Sequence, residues 1–249
     1  ISPSDPAKTD TITCAATASD IDGGSPTLSF SFSNQTSGST YTATTTGTAD
    51  ATLDLSGTGA VPDDIIECVV TATDTDSGTG TDSATVTVIN TAPTFSAAAA
   101  ITPNTGVFTG TILTCSATAT DIDDGNITPA YEWMVGTTSI GTGTTYTVDA
   151  TDTDVGDTIT CTATATDSDG EATTSTDNVT VENTDPVLSA VTITPNTVVY
   201  NDSTLTCAAT ATDPDETVTV TYDWTQNGNA LSTGDTVDLS SYTISPLDV

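Results

Sequence analysis

A twelve-residue segment in which small and polar residues alternate, 158–169, recurs throughout the chain. Cys161, Ala163 and Ala165 alternate with threonines, and Asp167 continues the same row. A period of two predicts a half-buried antiparallel strand, with threonines on its outer face. All five cysteines lie in such segments, and each is followed six and eight residues later by aspartates. The pairs are Asp20/Asp22 after Cys14, Asp74/Asp76 after Cys68, Asp121/Asp123 after Cys115, Asp167/Asp169 after Cys161, and Asp213/Asp215 after Cys207.

These landmarks define a repeat of about a hundred residues. Cys14 and Cys115 are 101 positions apart, and Cys115 and Cys207 are 92 apart. The segments Asn90-Thr91-Ala92-Pro93 and Asn183-Thr184-Asp185-Pro186 follow the last predicted strand of a repeat, and proline there ends strand pairing. We therefore predict three units, at 1–90, 91–183 and 184–249. We expect the first to lack its opening strand and the third its last strands, as in a window cut from a longer array.

The composition narrows the function further. The chain has 34 acidic residues and one base, Lys8, and its net charge is −33. Nothing here can neutralise phosphates, so nucleic acid is excluded as a partner and anionic membrane surfaces are disfavoured. No apolar run reaches transmembrane length. The acids are spread in short loops between strand-like segments, which predicts a folded protein whose carboxylates are screened by cations or salt outside the cell.

Catalysis is disfavoured by the same composition. Without His or Arg, triad mechanisms and phosphoryl clamps cannot be built. Paired carboxylates remain, but they recur in every cysteine segment, whereas an active site is normally a single constellation. Cysteines without a Cys-x-x-Cys motif indicate structural disulfides in an oxidising compartment. We therefore expect a protein that is not an enzyme.

The order of a cysteine strand, an aromatic strand and a second cysteine strand resembles tandem immunoglobulin-like sandwiches. Such repeats, together with PKD-like and cadherin-like ones, occur in large bacterial and archaeal surface proteins. The aromatic strand carries Phe30/Phe32, Tyr131/Trp133 and Tyr222/Trp224. The resemblance implies an all-β fold of tandem sandwiches joined by short linkers. It implies disulfides Cys14–Cys68 and Cys115–Cys161, with the partner of Cys207 beyond Val249.

The same resemblance places the Asp-x-Asp pairs at one end of each sandwich, beside the linker. Oxygen ligands without nitrogen or sulfur suit Ca²⁺, and cadherin-like arrays stiffen their joints in this way. The alternative is that each pair is an ordinary turn in which aspartate caps its own backbone. The predicted ligands are Asn90, Asp121, Asp123, Asp167 and Asp169 at one joint, Asn183, Asp185, Asp213 and Asp215 at the next, and also Asp20, Asp22, Asp74 and Asp76.

Carbohydrate is the main competing ligand, because many sandwich modules bind sugars on a row of exposed aromatics. Trp133 and Trp224 are instead expected to pack in the core. Glycans could also be attached to the chain itself, although chance alone explains Asn-x-Ser/Thr sequences in a chain that is about a quarter threonine. The acceptor asparagines are Asn34, Asn126, Asn178 and Asn201.

The sequence thus predicts a structural repeat segment of an extracellular filament, stalk or giant surface adhesin. Disulfide-stapled domains would give it reach and stiffness, and an open sheet edge would allow self-association into a fibre. A carbohydrate-binding module, or a spacer in a large secreted enzyme, is the alternative.

Overall fold

The computed structural model of the chain describes residues 1–45 and 48–245. Its regular structure is 22 β-strands and two short 3₁₀ helices, so the predicted all-β class is confirmed. The 3₁₀ helices are Leu55–Gly57 and Leu239–Ser241.

The first repeat is a sandwich of two antiparallel sheets. One sheet has the order β1-β5-β4 and the other β3-β2-β6-β7. The strands are β1 (Thr11–Ala15), β2 (Thr27–Asn34), β3 (Thr40–Tyr41), β4 (Thr44–Thr45), β5 (Asp50–Asp54), β6 (Ile65–Thr73) and β7 (Thr79–Thr87). This arrangement, with the first and sixth strands in opposite sheets, is that of an immunoglobulin-like sandwich.

Alternation along the strands builds the core of this repeat. Ile66, Cys68 and Val70 of β6 point inward and are buried, and Ile12 and Cys14 of β1 face them from the other sheet. The core of a single repeat is limited in size, and so the disulfide between Cys14 and Cys68, which joins the two sheets, matters for stability.

The second repeat has the same two-sheet plan. In one sheet β9 pairs with β8, β10 and β13, and the other has the order β12-β11-β14-β15. The strands are β8 (Thr94–Thr102), β9 (Ile112–Asp121), β10 (Gly125–Ile127), β11 (Ala130–Val135), β12 (Thr138–Thr142), β13 (Thr145–Thr147), β14 (Thr158–Thr166) and β15 (Ala172–Thr180).

The third repeat contributes three smaller sheets. They are β16-β19, β17-β18-β22 and the hairpin β20-β21. The strands are β16 (Val187–Leu188), β17 (Thr192–Thr194), β18 (Thr204–Ala208), β19 (Ala211–Thr212), β20 (Asp223–Gln226), β21 (Asn229–Thr233) and β22 (Thr236–Asp238).

The described chain divides into two compact units. The first comprises Ile1–Ala100, Ser116–Tyr131 and Thr162–Thr176, and the second comprises Ile101–Cys115, Glu132–Cys161 and Asp177–Val249. The three boundaries expected from the repeat, at 1–90, 91–183 and 184–249, stay a prediction.

Two disulfides join facing sheets, each within one unit. Cys14 of β1 is bonded to Cys68 of β6, and Cys115 of β9 to Cys161 of β14; the Cα atoms are 6.5 Å apart in both pairs. This is the pairing that the resemblance implies. Cys207 is a partly buried free thiol within the described part of the chain, and the partner expected for it lies outside the described residues.

Candidate metal centre

In each of the five Asp-x-Asp pairs that follow a cysteine, the first aspartate accepts a hydrogen bond from the backbone N–H of the second. Each pair therefore forms an Asx turn, which uses Oδ1 of the first aspartate. The N···O distances are 3.0 Å in Asp20/Asp22, 2.8 Å in Asp74/Asp76, 2.6 Å in Asp121/Asp123, 3.0 Å in Asp167/Asp169 and 2.8 Å in Asp213/Asp215. Turn formation does not by itself prevent metal binding, because the turn bond uses only one of the four carboxylate oxygens of a pair.

We call Asn90, Asp121, Asp123, Asp167 and Asp169 the first joint; all five belong to the first compact unit. Asp121 ends β9 and is only 7% exposed, because it continues the inward row of that strand. Asp167 holds the same place after β14 and is also 7% exposed. The sequence placed an acid in each inward row, and both acids are buried.

The linker between the first two repeats reaches both aspartate pairs. The backbone N–H and hydroxyl of Thr91 donate to Asp123 Oδ2 at 2.9 and 2.7 Å. Asn90 Nδ2 donates to Asp167 Oδ2 at 2.9 Å and to Glu171 Oε2 at 3.4 Å. Hydrogen bonds thus connect Asn90 to Asp167, and its neighbour Thr91 to Asp123, while the role of these residues as metal ligands stays a prediction.

Three oxygens of the first joint lack a hydrogen-bond donor. We call a side-chain oxygen open when it is buried and receives no hydrogen bond from any residue that the structure describes. The open oxygens here are Asn90 Oδ1, Asp121 Oδ2 and Asp123 Oδ1. A buried carboxylate oxygen without a donor is costly, so these atoms favour a cation ligand.

Negative charges are crowded at the first joint, and this crowding affects the pKa values of its aspartates. Asp169 is exposed, but partial desolvation of its carboxylate raises its pKa, and the carboxylates of Asp167, Asp124, Asp63 and Asp123 raise it further. The hydrogen bond from Asn90 lowers the pKa of Asp167, as do backbone hydrogen bonds in its turn, and burial opposes these effects. The crowding of like charges is what a bound cation would relieve.

Asp63 contributes to this crowding from an unusual backbone position. Its φ is +67°, and its N–H donates to Val88 O. In the second repeat the corresponding bond runs from Gly156, with φ of +91°, to Val181 O. A left-handed conformation that suits glycine therefore carries a carboxylate in the first repeat.

Asp64, the next residue, is held by hydrogen bonds inside the first repeat. It is 5% exposed and accepts hydrogen bonds from Asn34 Nδ2 at 2.7 Å and from Val61 N at 3.0 Å. In the second repeat, Asp152 Oδ2 accepts a hydrogen bond from the Tyr146 hydroxyl at 3.4 Å. Both aspartates are thus bonded within their own repeats.

We call Asn183, Asp185, Asp213 and Asp215 the second joint, which belongs to the second compact unit. Asp215 is fully paired: Thr184 N donates to Oδ2 and Thr109 Oγ1 to Oδ1, both at 2.5 Å. These bonds, that of the Thr109 hydroxyl above all, lower the pKa of Asp215. The open oxygens of this region are Asp213 Oδ2 and Thr184 Oγ1.

The remaining predicted ligands lie outside these clusters. Asn183 is exposed and donates to the carbonyl of its neighbour Thr184 at 3.0 Å, and Asp185 is exposed. The pairs Asp20/Asp22 and Asp74/Asp76 form their Asx turns at the surface and hold none of the open oxygens of the described chain.

The first joint suits a hard divalent cation that binds oxygen. Within the described ranges, no three Asp, Glu, His or Cys side chains are gathered closely enough to hold a metal by themselves. The open set instead combines two aspartates with an amide oxygen, and Ca²⁺ accepts carboxylate, amide and water oxygens together. Asn90, Asp121 and Asp123 are the residues that would hold it.

Three threonines that contact aspartates of the joints were not predicted from the sequence. They are Thr91 and Thr184 of the linkers, and Thr109. Because about a quarter of the residues are threonine, nothing marks these three out in one sequence. The repeat alignment could have found Thr109, since it occupies the place of Lys8 in the first repeat.

The asparagines predicted as glycan acceptors differ in accessibility. Asn126, Asn178 and Asn201 are exposed. Asn34 is 1% exposed, and its amide is held by Asp64 and by the N–H groups of Thr36 and Ser37. The glycosylation interpretation of Asn34 does not fit the folded domain.

The aromatic side chains do not form a sugar platform. All twelve lie within the described ranges, and only Tyr200, at 64%, is mostly exposed. Trp133 is fully buried, packs against Tyr146 and donates to Gly143 O at 2.9 Å. Trp224 makes the equivalent bond to Gly234 O. The core position expected for both tryptophans is observed for Trp133, whereas Trp224 is only partly buried.

No helix in the described part of the chain is long and apolar enough to cross a membrane. No family model matches the sequence, and no curated protein does.

Several solved structures resemble the chain. Fibronectin(III)-like modules of Clostridium thermocellum CbhA are 20% identical, with 73% of this chain and 92% of that one covered and a TM-score of 0.28. A Ca²⁺-stabilized adhesin with which an Antarctic bacterium binds ice is 20% identical (93% and 59% covered, TM-score 0.33). A 1.5-MDa bacterial ice-binding adhesin is 21% identical (93% and 77%, TM-score 0.33). Matches this distant support no conclusion about ligand, activity or partners.

Proposed function

We propose that the chain is a structural repeat segment of an extracellular filament, stalk or surface adhesin, in which Ca²⁺ at the first joint stiffens the link between repeats. The three open oxygens of Asn90, Asp121 and Asp123 carry this proposal. Asn90 belongs to the linker, and Asp121 and Asp123 lie at and just after the end of β9, where Thr91 already bonds Asp123. A cation bound to the three oxygens would add a second tie between these segments.

The energetic argument rests on desolvation. A buried polar group left without a partner costs about 1–3 kcal/mol, and more when it is charged. Two of the three open oxygens belong to carboxylates, and the acids around Asp169 add repulsion. A divalent cation offsets both costs at once, whereas the single ammonium of Lys8 donates to a backbone carbonyl, Asp123 O, at 3.2 Å.

A mechanical role accounts for the other features of the chain. Disulfides that join facing sheets stabilise small cores and form in an oxidising environment outside the cell. The sequence has neither His nor Arg, and its acid pairs recur, which favours architecture over catalysis. Self-association into a fibre belongs to the same proposal, which involves neither nucleic acid nor insertion into a membrane.

Carbohydrate binding is the weaker candidate. A sugar site would need aromatic faces open to solvent, and Trp133 is fully buried. The spacer role within a secreted enzyme requires the same stiff joints and differs only in what the segment supports.

Thermal unfolding with Ca²⁺ and with EDTA tests the proposal on the oxidised chain. At a Ca²⁺ concentration about a hundredfold above its Kd, the midpoint temperature of the unfolding transition that includes the first joint should rise by about 5–10 °C. The double variant Asp121→Asn/Asp123→Asn should abolish this difference. The matched control is Asp20→Asn/Asp22→Asn, which changes the same charge in the same kind of turn away from the joint and should keep the full Ca²⁺ response.

A wild-type chain that melts identically in Ca²⁺ and EDTA would refute the calcium part of the proposal. Equal loss of the response in both double variants would also refute it, because the effect would then be one of overall charge and not of this site.

A further inference from the structure

The same turn precedes the first cysteine strand in the first two repeats. In one, Asp10 N donates to Ala7 O at 3.0 Å and Ala7 N to Asp10 Oδ2 at 2.9 Å. In the other, Thr111 N donates to Phe108 O and Phe108 N to Thr111 Oγ1, both at 2.9 Å. The hydrogen bonds match atom for atom in role, so the second residue of the turn is Lys8 in one repeat and Thr109 in the other.

This second residue reaches the later aspartate of the following repeat in both cases, but it bonds different atoms. Thr109 Oγ1 donates to the carboxylate of Asp215, at Oδ1. Lys8 Nζ donates to the backbone carbonyl of Asp123 and leaves Asp123 Oδ1 open. Asp215 Oδ1, which accepts a hydrogen bond at the second joint, therefore corresponds to Asp123 Oδ1, which is open at the first joint.

We propose that the residue at this turn position decides whether a joint takes a cation, so that the chain binds Ca²⁺ at the first joint and closes the second with the Thr109 hydroxyl. This inference rests on the proposed function and makes it more specific. It gives the oxidised chain one bound Ca²⁺, although both joints carry an Asp-x-Asp pair and an Asn-Thr linker.

The second joint has fewer open oxygens than the first. Asp213 Oδ2 is open, and the neighbouring linker residue Thr184 adds its Oγ1, against three at the first joint, where Asp121 is more than nine-tenths buried. Removing the Thr109 hydroxyl frees Asp215 Oδ1 and brings the number to three. The set would then contain two carboxylate oxygens and one neutral oxygen, as at the first joint, which is a composition that Ca²⁺ accepts.

Calorimetric titration of the oxidised full chain with Ca²⁺ counts the sites, at concentrations that fill a site with a Kd of about 0.1–1 mM. Wild type should bind one Ca²⁺. Thr109→Val, which keeps the shape and removes the donor, should bind two. Thr109→Ser keeps the hydroxyl and should bind one. Adding Asp121→Asn/Asp123→Asn to Thr109→Val should return the count to one, which assigns the new site to the second joint.

Each result decides between the two proposals. Two sites in wild type, with one lost in Asp213→Asn/Asp215→Asn, would overturn this inference and leave the calcium proposal standing. One site in Thr109→Val, with circular dichroism unchanged from wild type, would overturn the role of Thr109. A wild-type chain that binds none would overturn the calcium proposal itself.

Discussion

Two buried polar side chains of the first repeat form a pair that the sequence alone does not predict. Asn34 is at the end of β2 and Asp64 precedes β6, and the amide of one donates to the carboxylate of the other. Asn34 Oδ1 also accepts from Thr36 N at 2.9 Å and Ser37 N at 3.0 Å. One asparagine therefore holds a tight turn and satisfies a buried acid.

Replacing Asn34 by alanine should lower the free energy of unfolding of the first repeat by about 2–3 kcal/mol, because Asp64 keeps its burial and loses a donor. Urea unfolding at neutral pH measures this loss. The control is Asn126→Ala, which removes an exposed asparagine from another Asn-x-Thr tripeptide. It should change the free energy of unfolding by less than about 0.5 kcal/mol. Equal losses in the two variants would contradict a special role for the Asn34–Asp64 pair.

At the scale of elements, the two 3₁₀ helices begin with the same cap. Asp54 Oδ1 accepts from Ser56 N at 3.0 Å and Ser56 Oγ at 2.6 Å. Asp238 and Ser240 repeat this arrangement at 3.0 and 2.7 Å. Each cap positions the leucine that follows the aspartate, and both leucines are buried. A short polar motif thus fixes how the strand before it ends.

The cap at Asp54 should make stability depend on pH in the acid range. The Ser56 hydroxyl, and then its N–H, lower the pKa of Asp54 below its usual 3.8. Its contribution is therefore present above pH 3.8 and is lost as the pH falls through the folded value. Ser56→Ala should raise the pKa of Asp54 towards 3.8. NMR titration of the Asp54 carboxyl carbon measures this shift. Ser240→Ala is the control and should move Asp238 alone; an unchanged Asp54 in Ser56→Ala would contradict the account.

The strands were largely predictable, since they depend on local alternation. The inward row Cys161, Ala163, Ala165 and Asp167 is buried along β14 as the pattern indicates. Local sequence also signals an Asx turn. It cannot show which carboxylate oxygen finds a donor, because Thr91, Lys8 and Thr109 lie far along the chain from the aspartates they contact.

For the whole molecule, charge and cross-links act in opposite directions. A net charge of −33 favours expansion, and the open oxygens of the first joint are one place where cations would counter it. The disulfides act whatever the ionic strength. Asn34 is buried through a contact with Asp64, which is distant along the chain. Its tripeptide alone could therefore suggest a glycan acceptor although the folded chain encloses it.

Under stretching force, the two cross-links set how far the chain can lengthen. Cys14 and Cys68 are 54 positions apart and Cys115 and Cys161 are 46 apart, so the bonds lock about 180 Å and about 155 Å of extended backbone. Optical-tweezer traces of the oxidised chain should lack these lengths, and a reductant should release them. Cys14→Ser/Cys68→Ser should release the longer one alone, and a trace that reductant leaves unchanged would contradict this.

Under load, the strands outside the cross-link of such a repeat separate, and its extension then stops. The segment between the paired sulfurs stays folded as sheet, so the repeat shortens again when the force is removed. Such a segment would behave as a tether with a fixed limit of travel.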